Sequence, residues 1–154
     1  MEAIVAIFVI TTGLVGVLSL VSQTISASTF SKDKLIAAYL AQEGIEIVRN
    51  IRDTNWLQSL SWNNGLAVGT YEADYDSQSL SPYSGSPLNL ESLTSYYGYN
   101  SGNATKFTRK ITISEPNTVN CPAGVCLNVT VLVEWQEKGN IHSVEAQENL
   151  YNWY

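Results

Sequence analysis

Cys121 and Cys126 enclose a C-x4-C loop that contains Pro122 and Gly124. Two cysteines this close beside a strand suggest a disulfide that closes a small loop outside the cytoplasm. A metal site is the rival reading, but no second cysteine pair occurs and His142 is the single histidine, so a structural zinc lacks ligands. Free thiols are the third alternative. His142 is followed by Ser143, yet neighbours on a strand point to opposite faces, which separates a base from a nucleophile. No G-x-S-x-G, Walker or G-x-G-x-x-G pattern is present. Glu72, Asp74 and Asp76 alternate and would project along one strand face; a Ca²⁺ site there is conceivable, but a solvated acidic face is the simpler expectation. Asn103-Ala-Thr and Asn128-Val-Thr match the N-glycosylation pattern, and with Asn128 inside a strand both are read as chance matches. These residue types point to a protein that is not an enzyme and needs no cofactor or metal.

One further ionisable group stands apart, and its setting is more informative than its chemistry. Glu2 is the first charged residue and Lys32 the second, so residues 3–31 carry no charge at all. Charged residues make up 14% of the 154-residue chain, against roughly 25% in a typical soluble domain. The deficit lies mostly in this block. A net charge of −6 gives no basic footprint for nucleic acid, and the abundance of apolar residues argues against disorder.

Residues 3–21 read AIVAIFVITTGLVGVLSLV. As a helix they would extend about 28 Å, close to the hydrocarbon thickness of a bilayer. A buried helix of a soluble domain seldom stays apolar all round for this length. A signal peptide would bring a positive n-region and a shorter apolar run, whereas the chain here opens on Met-Glu. The block therefore reads as a membrane-spanning or hydrophobically packed helix. From Lys32 the pattern changes: Ala37, Leu40, Ala41, Ile45, Val48 and Ile51 recur three or four apart, one helical face, and Glu46 and Arg49 fall at i and i+3. No proline precedes Pro82, so the simplest expectation is one helix of about 50 residues, with a hinge at residues 26–31 as the alternative. Gly13 and Gly16 weaken it by about 1 kcal/mol each relative to alanine.

Beyond Asp53 the composition turns to Trp, Tyr, Asn, Gly and β-branched residues. Residues 66–75 suggest a strand anchored by Val68 and Tyr71. Residues 77–105, rich in Ser, Tyr, Gly, Asn and Pro, suggest a long surface loop with a helical turn near 88–93. Residues 106–114 alternate loosely. Leu127, Val129, Val131, Val133 and Trp135 alternate clearly, with Asn128, Thr130 and Glu134 opposite. Residues 138–140 supply a turn, and 141–151 return with Val144, Ala146 and Leu150 on one face, which completes a hairpin. The fold class is α+β: a long N-terminal helix, apolar in its first half and amphipathic in its second, packed on three or four antiparallel strands. The expected division is residues 1–30 as the apolar half-helix and 31–154 as a globular head, comprising the amphipathic half 31–57, the loop-rich region 77–105 and the strands 106–154.

The opening MEAIVAIFVITTGLVGVLSLV resembles the N-terminus of type IV pilins and the related pseudopilins of type II secretion. The segment AAYLAQEGIEIVRNIRD and the aromatic end LYNWY fit bacterial pilin-like proteins. In that family a basic leader is removed by a prepilin peptidase that methylates the new N-terminus, and a glutamate stands at the fifth mature position. Glu2 matches it, which would place Met1 at the fourth mature position, with the leader and three residues before it. The family's frequent mid-helix proline is missing. The resemblance implies a single-pass protein of the cytoplasmic membrane that assembles, with the pilus assembly machinery, into a helical extracellular filament of identical subunits. Glu2 would be the assembly residue, meeting a neighbour's N-terminal amine; its alternative is a carboxylate at headgroup level with no such role. Ala3, Ala6, Ile7, Phe8, Ile10, Gly13, Leu14, Gly16, Leu18 and Leu20 would pack the filament core. Small residues such as Ala3, Ala6, Gly13 and Gly16 permit close approach of helices. The alternatives are a minor pilin or pseudopilin that primes a short fibre, and a membrane-anchored binding domain that does not polymerise. Direct nucleic-acid binding is not expected.

Overall fold

In a computed structural model, which describes residues 1–153, a helix α1 (Glu2–Leu57) is followed by eight strands. α1 is a single helix, without the hinge considered near residues 26–31. It ends where Ser59 adopts φ 57° and the amides of Ser59 and Leu60 reach back to the carbonyls of Trp56 (3.0 Å) and Asn55 (2.8 Å). This is a Schellman closure, with serine in the left-handed position that glycine usually takes. The chain divides into two compact units, Met1–Leu35 and the remainder from Ile36.

In the second unit every apolar position of the helical stripe, from Ala37 to Ile51, is buried, and Ile47 joins them. They face a five-stranded antiparallel sheet of order β2-β1-β6-β7-β8, built from β1 (Gly69–Glu72), β2 (Ser81–Pro82), β6 (Phe107–Ser114), β7 (Cys126–Glu137) and β8 (Asn140–Tyr151). The inward residues of β7, Leu127, Val129, Val131, Val133 and Trp135, are all buried, as alternation requires. Lys138 (φ 50°) and Gly139 (φ 82°) form the two-residue turn between β7 and β8, both in the left-handed region that a type I′ hairpin demands. The sheet thus has one strand more than the upper end of the expected range.

Three details of the expected topology are corrected. The strand expected at 66–75 is confined to β1, because Val68 is exposed; Leu66 and Ala73, just outside the strand, are the buried anchors. Residues 88–93 open as a strand: β3 (Asn89–Leu90) pairs with β4 (Tyr97–Gly98) and β5 (Asn103–Ala104) in a second, three-stranded sheet, and the single helical turn falls slightly later, where the Ser95 amide donates to the Glu91 carbonyl (2.9 Å). The region 77–105 is therefore not wholly loop. Its strands of two residues are too short to display any periodicity.

Gly44 lies at the closest approach of α1 to the sheet. A Cβ there would sit 2.7 Å from Cγ1 of Val131, so the backbone of this helical turn rests directly on β7. Glycine is a poor helix former, and its use here is steric. Gly44→Val is expected to destabilise the second unit by about 1–3 kcal/mol through overpacking. Denaturant unfolding followed by tryptophan fluorescence measures this unit alone, since Trp56, Trp62, Trp135 and Trp153 all lie in it.

Candidate functional site

Within Met1–Leu35 every side chain from residue 1 to residue 25 is exposed, Ala3, Ala6, Ile7, Phe8, Ile10, Gly13, Leu14, Gly16, Leu18 and Leu20 among them. α1 contains a stretch long and apolar enough to cross a membrane, and none of that stretch is buried. Phe8 and Ile10 expose 69% and 68% of their surface, values that a water-soluble helix does not sustain over five turns. Five of the polar interruptions are neutralised locally. Thr11 and Thr12 donate their hydroxyls to the carbonyls of Ile7 (2.9 Å) and Phe8 (2.8 Å), and Thr24, Ser26 and Thr29 bond four residues back in the same way. No hydroxyl in this set needs water or a partner chain. A Cβ added at Gly13 or Gly16 would meet nothing within 4 Å, so the chain's own packing does not require these glycines.

Glu2 stands in the first turn, exposed, and makes no ion pair among the described residues.

In the second unit the chemistry-bearing residues are dispersed into structural contacts. Cys121 and Cys126 form a disulfide with Cα atoms 5.0 Å apart. The loop is held to the sheet by the amide of Asn152 on the carbonyl of Val125 (2.8 Å) and by the hydroxyl of Tyr151 on the carbonyl of Asn120. His142 faces inward, its ring 5.5 Å from that of Trp135, while Ser143 is exposed on the other face. The acids expected along one strand face diverge because β1 ends at Glu72. Glu72 accepts the amide (2.9 Å) and hydroxyl (2.8 Å) of Ser84, whereas Asp74 accepts the amide of Tyr99 (2.6 Å) and the side-chain amide of Asn100 (2.7 Å). Asn128 lies on the outer face as expected but is buried there, bonded to Asn149 (2.6 Å) and Gln147 (2.9 Å); Asn103 is exposed. Glu46 and Arg49 pair as their spacing predicts, and Arg49 adds Glu148 at 2.5 Å.

Arg109 is the residue that sequence reasoning missed. It faces inward between Phe107 and Ile111, fully buried. Its guanidinium donates to the Leu40 carbonyl (3.3 Å), the Glu43 carboxylate (2.6 Å) and the Ala73 carbonyl (2.6 Å). The alternation Phe107, Ile111, Ile113 was the available signal, since it assigns position 109 to the inner face. Tyr99 donates its hydroxyl to the Arg109 carbonyl at 3.2 Å. Burial pushes the Tyr99 phenol up to about 12, against an opposing pull from the nearby guanidinium.

Compared with protein-family models, curated proteins and solved structures, the chain finds no match. The arrangement concentrates its unsatisfied surface in the exposed apolar half-helix, and the second unit offers contacts that hold a fold together.

Two measurements probe this assignment. Replacing both Cys121 and Cys126 with alanine is expected to cost about 2 kcal/mol, the chain-entropy value for so short a loop, in denaturant unfolding of the second unit. For Tyr99 the folded pKa lies above the unfolded value, so the neutral phenol's stabilising contribution is complete below pH 10 and lost as pH rises towards about 12. Tyr99→Phe should remove a step near pH 12 from a phenolate absorbance titration.

Proposed function

We propose that the chain is a structural subunit of a type IV pilus-like filament, anchored in the cytoplasmic membrane through residues 1–30 before assembly and polymerised through the same residues afterwards. The observation that carries this reading is the apolar block itself: residues 3–21 are exposed on every side of the helix, with the Thr11 and Thr12 hydroxyls satisfied internally and a single carboxylate at the edge. Such a surface is stable in lipid or against copies of itself, and unstable in water. A bilayer accepts the apolar run but penalises a lone carboxylate at its edge. A neighbouring subunit's N-terminal amine would relieve that penalty, which gives assembly both a driving contact and a register. Gly13 and Gly16, unneeded by the chain's own packing, admit a neighbouring helix at short distance. One heterologous contact repeated without closure generates an open helical fibre, and the partner is then a second copy of this chain.

The expected result is that filaments sheared from the cell surface contain this chain in abundance by mass spectrometry. Trace recovery would assign it to a minor or priming role, and full retention in the membrane would sink the filament reading in favour of an anchored domain. Glu2→Ala is expected to abolish incorporation into filaments while membrane insertion, read by fractionation, stays intact. Normal incorporation of that variant would remove Glu2 from the mechanism.

A further inference from the structure

The two edges of the large sheet differ. β2 is two residues long and ends in Pro82, which has no N–H to donate, so that edge is blunted against further pairing. β8 is the other edge. It runs for twelve residues, Asn140–Tyr151, and its register with β7 is continuous, without a bulge. It contains neither lysine nor proline, two of the devices that usually protect an exposed edge.

The turn before β8 fixes which of its backbone groups face outward. Across a two-residue turn the flanking residues, here Glu137 and Asn140, form a hydrogen-bonded pair, so the even-numbered residues of β8 turn their N–H and C=O to β7. The Asn152 amide on the Val125 carbonyl (2.8 Å) continues the same series. Ile141, Ser143, Glu145, Gln147, Asn149 and Tyr151 therefore point theirs away from the sheet, where they make no hydrogen bond among the described residues. Such a row of paired donors and acceptors is a template for one more strand.

A second β8, related by a two-fold axis, answers this row. Outward groups must meet outward groups, so an odd-numbered residue has to oppose an odd-numbered one. Two such registers overlap nearly the whole strand. One sets Glu145 against its own copy, acid directly opposite acid, which is unfavourable. The other centres the axis on Ala146 and sets Glu145 opposite Gln147, Ser143 opposite Asn149 and Ile141 opposite Tyr151. Every outward residue is then hydrogen-bonded. Ile141 is 73% exposed and Tyr151 38%, and in this register each covers the other. On the inner face Glu148 meets Val144, and its carboxylate is already neutralised by Arg49 at 2.5 Å. Val144 and Ala146 pack on the core but are only partly buried, and a hollow of about 280 Å³ lies between α1 and Ala146, where an added strand would extend the cover. We propose that two copies of this chain pair through β8, antiparallel and centred on Ala146, and join their sheets into one.

This contact belongs to the second unit and is separate from the packing proposed for residues 1–30, so either can fail without the other. The test reads register. Full-length chains carrying Ser143→Cys and Asn149→Cys are purified separately in detergent, mixed and oxidised with copper phenanthroline; both native cysteines are in the disulfide, so the new thiols are the free ones. In the proposed register they face each other across one pair, whereas either variant paired with itself leaves them about 20 Å apart along the strands. The mixture is expected to give at least fivefold more disulfide-linked dimer on a non-reducing gel than either variant alone. Adding Glu145→Pro to both chains removes an outward N–H and no bond to β7, and should return the mixture to the level of the single variants. Ile141→Lys, at an exposed position, should lower the yield about threefold, and tryptophan fluorescence checks that each variant is folded. Equal yields from the mixture and the single variants, or a mixed yield that neither Glu145→Pro nor Ile141→Lys reduces, would overturn the proposal.

Discussion

The buried guanidinium of Arg109 is the constraint around which the second unit is arranged. A full positive charge enclosed between helix and sheet is tolerable only while its acceptors are in place, and they come from three parts of the chain: Leu40 and Glu43 on α1, and Ala73 just past β1. Removing one partner of such a group typically costs about 3–5 kcal/mol, although the intact pair adds little net stability because desolvation offsets its attraction. Its effect is therefore on register. Sliding α1 by a turn along the sheet would leave the charge unmatched, and Gly44, one residue beyond Glu43, permits close approach to β7 at that same height. The polar contact and the steric one select a single placement of the helix.

Much of this was legible in the sequence. The three-four spacing from Ala37 to Ile51 marked the buried face of α1, and the strict alternation from Leu127 to Trp135 marked the central strand, because each pattern records one interaction with one core. The lack of proline before Pro82 was enough to make the helix continuous. The exposed apolar block was equally plain, since a run of uncharged residues needs no partner to be recognised. Cys121 and Cys126 were close enough in sequence for their pairing to be favoured, though metal and free thiols stayed open until the disulfide was seen.

What escaped the sequence shares a cause: its determinants lie far apart along the chain. Arg109 looks like a surface residue until Glu43 is brought across 66 positions to meet it. Asn128 was assigned correctly to the outer face, but its burial depends on Gln147 and Asn149 arriving on β8. Val68 reads as an anchor by type, and loses that role because the chain enters β1 with Leu66 turned inward instead. The small sheet of β3, β4 and β5 is held together partly by Asp74, which accepts from Tyr99 and Asn100 some 25 residues later. None of these partners can be read from local periodicity.

The two units divide the work of stability in a way that suits the proposed life of the chain. Every buried apolar residue of the core belongs to the unit that begins at Ile36, and the sheet and disulfide lie wholly within it. The first unit contributes none of that core, and the hydroxyls of Thr11, Thr12, Thr24, Ser26 and Thr29 are satisfied inside the helix by backbone carbonyls four residues away. A segment of this kind can exchange lipid for neighbouring helices without breaking a hydrogen bond of its own and without disturbing the fold beyond it. The exchange then turns on the few groups that are not self-sufficient. Among residues 1–21 the one acidic side chain is Glu2, so under the proposed function the choice between lipid and neighbouring helices would turn on that carboxylate.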